Sequence, residues 1–342
     1  MMARLAIPGG TSILGVAGAI LLAAGCSGTD PQAEPVEFTV PPGASFSQVA
    51  DTLVAHDLVR YPFAFRALAR VRGDDRGIRS GRYRVPADVG WFQLLDQLVA
   101  GRVVTVPLTI PEGFTLRQIA PRVAQVTELE VEDVRRRIED EKAGEEWQVP
   151  GPGLEGYLFP DTYHFAPGVS LDTVLQVMTD RYRSFWTEET RAEAEALGLT
   201  EQEATTLAAI VQAEARHEEE MRVISGVFHN RLRIGYLLQA DPTIQYALEE
   251  RRSRLLYADI EAVEDHPYNT YTQPGLPPGP IGAPGRAALE ATLDPAEVEY
   301  LYFVARPDGS HIFSRTLAEH NRARVNARRE WDEIERRRQS GN

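Results

Sequence analysis

The first candidate for chemistry in this sequence is a carboxyl group on an otherwise apolar helix. Residues 200–216 open with Thr200-x-x-Glu203, a capping box that marks a helix start, and continue through Leu207, Ile210 and Val211. Glu214 stands seven, four and three residues beyond these three, on the same helix face. A carboxyl among apolar side chains is desolvated, so its pKa rises. One that stays protonated near neutral pH can serve as a general acid. At the edge of that face the same side chain would reach water, and the helix alone leaves both readings open. The acids that follow, Glu218, Glu219 and Glu220, form an ordinary solvated run.

Further along the chain are residues suited to holding a sugar. Gln239, Asp241, Thr243 and Tyr246 fall in one polar and aromatic stretch. Asn269 and Tyr271 precede residues 275–281, a loop that Pro277, Pro278 and Pro280 stiffen. Planar donors suit hydroxyls and amides, and aromatic faces suit sugar rings, although each segment alone could be a structural turn. Other chemistries lack their residues. The single lysine, Lys142, lies in a charged run, which excludes a Walker loop and leaves no plausible Schiff-base lysine. The seven histidines form no His-x-x-x-His or His-Glu-x-x-His pattern, and no Gly-x-Ser-x-Gly elbow is present. The one cysteine, Cys26, permits neither an intramolecular disulfide nor a cysteine zinc site. No cofactor and no metal are implied.

The elements that must position these residues show in the patterning. A chain of 342 residues suggests about two domains. Residues 40–50 and 110–120 match position by position, and 85–94 is a looser third copy. Each copy has a short alternating strand, a proline that ends it, a turn and a helix start; Ser45-x-x-Gln48 and Thr115-x-x-Gln118 are capping boxes. The helices would bury Phe46, Val49 and Leu53, or Leu116, Ile119 and Val123. Such strand-turn-helix units resemble LysM-like modules, which bind N-acetylglucosamine chains; a plain α+β packing unit fits the pattern too. Gly151-Pro152-Gly153 is a breaker that places a domain boundary near residue 150. Beyond it come helices over about 171–235, mixed structure with a strand at 300–304, and a helix at 317–338. The expected fold class is α+β: a LysM-like region over 37–150, then a mixed α+β catalytic domain over 151–342.

The N-terminus reads as an export signal. Residues 1–26 carry one charge, Arg4, then an apolar run from 13 to 22, then small residues ending on Cys26. The run is short for a membrane span. Small residues before Cys26 resemble a lipobox, which would make Cys26 a lipidation site; an uncleaved anchor is the alternative. Residues 27–36 form a polar tether. Both readings put the chain outside the cytoplasm, on the cell membrane facing the periplasm or on the outer membrane. The net charge of −14 argues against a nucleic-acid partner. It also offers no attraction to anionic lipid, so anchoring is expected to depend on Cys26.

Taken together, the blocks at 155–163, 209–214, 227–232, 238–243, 268–281, 311–313 and 320–321 resemble the endolytic murein transglycosylases of the MltG (YceG-like) family, in family order. The resemblance implies cleavage of the β-1,4 bond between N-acetylmuramic acid and N-acetylglucosamine in peptidoglycan strands, leaving a 1,6-anhydro-muramyl end. It places the catalytic acid/base on Glu214. It makes Gln239, Asp241, Thr243, Tyr246, Asn269, Tyr271, Glu155, Asp161 and Tyr163 candidates for holding glycan. It implies action during glycan strand synthesis or termination, with murein synthases or division proteins as partners. Two features depart from the family. Gln212 stands where many relatives have an acid, and helical phase rotates it about 160° from Glu214. A lipoprotein-like signal stands where relatives carry a membrane helix. A water-using muramidase with Asp241 as second carboxylate, and a non-catalytic peptidoglycan-binding scaffold, are the competing functions.

Overall fold

The computed structural model describes residues 34–249, 252 and 255–340. The signal segment, Cys26 and most of the tether lie outside the described residues. The chain divides into two compact units, with the division between Val104 and Thr105.

The first unit runs β1 (Val36–Val40), α1 (Phe46–Ala55), α2 (Pro62–Arg72), β2 (Gly81–Val85) and α3 (Trp91–Ala100). β1 and β2 pair antiparallel, Val36 opposite Val85 and Val40 opposite Gly81. Their alternation turns Phe38, Val40, Tyr83 and Val85 inward, as period-two strands require. The helices close over that face with Val49, Leu53, Phe65, Leu94 and Leu98. Ser45 and Gln48 form the expected capping box at the start of α1.

The second unit begins with β3 (Val106–Thr109), α4 (Leu116–Thr127), α5 (Val131–Ile138), α6 (Ala143–Glu146) and β4 (Thr162–Phe165). Helices α7 (Leu171–Arg183), α8 (Glu188–Ala196), α9 (Glu201–Glu214), α10 (Met221–Arg233), α11 (Asp241–Ala247), α12 (Tyr257–Ala262) and α13 (Arg286–Leu293) follow. The hairpin β5 (Tyr302–Ala305) and β6 (His311–Ser314) and the long helix α14 (Leu317–Ser340) complete it. All three strand-turn-helix copies exist, as β1–α1, β2–α3 and β3–α4, and the mixed α+β class holds.

The division at Val104 differs from the boundary the sequence suggests near residue 150. β3 pairs antiparallel with β4, Val106 opposite Phe165, so the copy at residues 110–120 finds its partner strand beyond the breaker. Leu108, Ile119, Val134, Ile138 and Trp147 then share one core with Leu158, Met178, Leu207 and Phe228. The breaker is an internal turn: the Gly144 amide donates to the Pro152 carbonyl at 2.9 Å.

Candidate active site

Helix α9 delivers Glu214 as its last residue. Thr200 and Glu203 cap its start, with the Thr200 amide donating to the Glu203 carboxylate at 2.8 Å. Every residue from Ala204 to Val211 is buried, so the helix lacks the one-sided apolar face expected from its sequence. Packing against α8, α10, α11 and α13 on several sides is the reason. Glu214 owes its environment to the helix end rather than to a face. It is half-buried there, beside Asp241 and Arg231. Burial pushes its carboxyl up to about 8; the Asp241 carboxylate adds to the rise and the Arg231 cation opposes it. The carbonyl end of a helix disfavours negative charge as well.

Asp241 opens α11, where the Tyr271 hydroxyl donates to its carboxylate. Burial beside Asp241 holds that hydroxyl protonated, well above its ordinary pKa. Arg231, on α10, is 6% exposed. Its guanidinium donates to the carbonyls of Leu301, at 2.7 Å, and of Leu238, and lies 5.5 Å from the ring centroids of both Tyr236 and Tyr302. It therefore straps the segment leading to Asp241 onto α10. Burial lowers its pKa. Sequence reasoning gave Arg231 no role. The available signal was a lone arginine three and four residues beyond Phe228 and Val227, on the buried side of a helix.

A second carboxyl sits in a neighbouring cavity. Glu155 accepts from the Leu116 amide at 3.2 Å and from the Tyr246 hydroxyl at 3.3 Å. Burial pushes it, too, up to about 8, although these hydrogen bonds favour the anion. The cavity encloses about 840 Å³, and Phe114, Glu155, Tyr246, His266 and Tyr268 are part of its lining. Ala213 and Ala215, on either side of Glu214, also line it. Tyr246 and Tyr268 hold their rings 4.8 Å apart. Two protonated carboxyls, an aromatic wall and a buried cation thus gather around the end of α9.

The remaining expected residues divide by what their polar atoms do. Asp241, Tyr271, Tyr246 and Glu155 fall in these two clusters. Gln239 is exposed next to Asp241, with φ +47 and its amide bonded to the Thr270 carbonyl at 3.0 Å. Thr243 is buried and bonds the Ala240 carbonyl and the Thr270 hydroxyl. Asn269 is fully buried; its side-chain amide donates to the carbonyls of Ile260 and Val263, and its carbonyl accepts from the Tyr271 amide at 3.0 Å. Thr243 and Asn269 build the loop that presents Tyr271. Tyr163 donates to the Phe159 carbonyl and Asp161 pairs with Arg181 at 2.9 Å, both at the β3–β4 ladder, where they brace the strands. Gln212 accepts from the Gly285 amide at 3.0 Å, joining α9 to the start of α13. Among the described residues no group of three or more His, Cys, Asp or Glu could hold a metal ion.

The model of the YceG-like family matches residues 38–326. The chain belongs to the YceG-like family. A relative from Bacillus subtilis strain 168, named endolytic murein transglycosylase, is 32% identical over 305 residues, covering 84% of each chain. One of the same name from Streptococcus pneumoniae strain R6 is 28% identical over 331 residues; the match covers 85% of this chain and 59% of that longer protein. The crystal structure of a yceG-like protein from Listeria monocytogenes superposes with a TM-score of 0.58 at 31% identity, covering 85% of this chain and 99% of that one.

Proposed function

We propose that this member of the YceG-like family is an endolytic murein lytic transglycosylase with Glu214 as its single acid/base. The observation that carries the reading is the place of Glu214: it ends a buried helix beside Asp241 and Arg231, and its neighbours Ala213 and Ala215 line a cavity walled by Tyr246 and Tyr268, so that burial pushes its carboxyl up to about 8. The Glu214 proton passes to the glycosidic oxygen as the bond from that oxygen to the muramyl C1 breaks, releasing the N-acetylglucosamine 4-hydroxyl. The resulting carboxylate takes the proton of the muramyl C6 hydroxyl as its oxygen bonds to C1, closing the 1,6-anhydro ring. Glu214 is thereby reprotonated and no water is consumed. Burial and Asp241 favour the first half of this cycle, and Arg231 favours the anion needed in the second. Asp241, held by Tyr271, also suits a positive charge developing at C1. Tyr246 and Tyr268 offer faces for sugar rings.

The substrate proposed is peptidoglycan outside the cytoplasm, reached from an N-terminal membrane anchor, with cleavage during strand synthesis or termination. The names of the relatives support the reaction class; the sequence pattern of residues 1–26 supports the anchor. Mass spectrometry of fragments released from purified peptidoglycan tests the reaction, using the wild type beside Glu214→Gln. Anhydro-ended fragments from the wild type alone support it. Reducing ends, one water heavier, favour a muramidase using Asp241. Binding to sacculi without release by either protein favours a scaffold.

A further inference from the structure

We infer that the outer face of α2 is a membrane-surface contact, seating the first unit on anionic phospholipid; this rests on the N-terminal anchor proposed above. Helix α2 packs inward through Phe65 and Ala69. At about 100° per residue its opposite side presents Phe63, Ala64, Ala67, Arg70 and Val71 within roughly a 120° arc. Phe63 and Val71 are each 87% exposed, and Tyr61, just before the helix, is 57% exposed. Two large apolar side chains so far into solvent, two turns apart on one stripe, contribute nothing to the core of this unit. The cations beside them are unspent. Among the described residues neither Arg60 nor Arg70 has a carboxylate partner, and Arg60 only lies over the Tyr61 ring, at 5.7 Å. An apolar stripe flanked by unpaired arginines matches an acyl–headgroup boundary with anionic lipid.

Charge and chain length select this occupant. Residues 34–104 hold nine arginines against eight carboxylates, whereas residues 105–342 carry a net −15. The overall −14 therefore hides a unit that anionic lipid does not repel. From Cys26 to Val36 is ten residues, a reach of at most about 35 Å. A unit of this size has a radius of gyration near 11 Å, so an anchor at Cys26 keeps it within reach of the bilayer. A glycan strand would call for Asn, Gln or Asp between the aromatic rings, and the arc has none.

The test uses the full chain with photoreactive p-benzoylphenylalanine replacing Phe63, or replacing exposed Ser47 on α1 as the control. Each is reconstituted with vesicles of phosphatidylcholine and phosphatidylglycerol, floated, irradiated and read by mass spectrometry. Lipid adducts at position 63 and not at 47 are expected. Arg70→Glu with Val71→Asp lowers them about tenfold while leaving cleavage of soluble glycan at the wild-type level. A chain that floats with the vesicles but forms no lipid adduct at 63 overturns the docking face and leaves the anchor standing. A chain that does not float overturns both. Adducts to glycan in sacculus-bearing membranes, without lipid adducts, make the stripe a sugar platform instead.

Discussion

At the scale of single residues, the proposed reaction turns on the proton on Glu214. Glu214→Gln keeps the shape of the side chain and removes the transferable proton, so the rate is expected to fall by about 10²–10⁴, with glycan binding retained. The acid must be protonated to start the reaction, so activity declines as pH rises through about 8. Stability follows the same proton. The folded carboxyl titrates near 8 and an unfolded glutamate near 4.5, so between those values the folded state binds more protons. This group's contribution to stability therefore falls as pH rises across that window. Glu214→Gln is expected to melt progressively higher than wild type from pH 5 to 9, by a few degrees, in thermal scans. Arg231 acts on the same equilibrium from the other side. Arg231→Met removes the cation, raises the Glu214 pKa further and moves the alkaline limb of the rate profile upward. It also leaves the Leu238 and Leu301 carbonyls without this donor, at about 1–3 kcal/mol each in a denaturant titration.

At the scale of elements, short-range signals hold the frame and a few close approaches fix its geometry. Thr200→Ala should cost about 1 kcal/mol by uncapping the helix that carries Glu214. Gly156 is less forgiving. Its φ is +85, and a Cβ there would lie 2.3 Å from Cβ of Pro280. The stiff loop thus packs directly on the backbone next to Glu155. Gly156→Ala is expected to destabilise by about 2 kcal/mol or more and to displace Glu155 from its cavity, seen as a lowered melting temperature and weaker glycan binding. The capping boxes and the strand-turn-helix copies were legible because each is a contiguous pattern. The surroundings of Glu214 were not, because α9 is buried on several sides and periodicity locates no single face on such a helix.

At the scale of the whole molecule, the two units have separate cores and different charge. The second contains the complete candidate site. A chain starting at Thr105 keeps β3 against β4 and should melt cooperatively. One starting at Gly151 loses β3, α4 and α5, together with the Leu108, Ile119 and Ile138 side chains of the common core. It should fail to fold by circular dichroism. Equal cooperativity of the two fragments would return the boundary to the breaker near residue 150.

By itself the sequence determined what local physics can specify. Capping pairs, period-two strands, proline-ended turns and the α+β class follow from neighbours in the chain, and the family blocks marked Glu214 among many acids. Tertiary structure decided which surfaces meet. It paired β3 with a strand more than fifty residues away and so moved the boundary. It turned Asn269, Thr243, Asp161 and Tyr163 to bracing the scaffold, and brought both Arg231 and Asp241 to Glu214. Those outcomes depend on contacts between distant segments, where burial and charge are set by partners that no window of sequence contains.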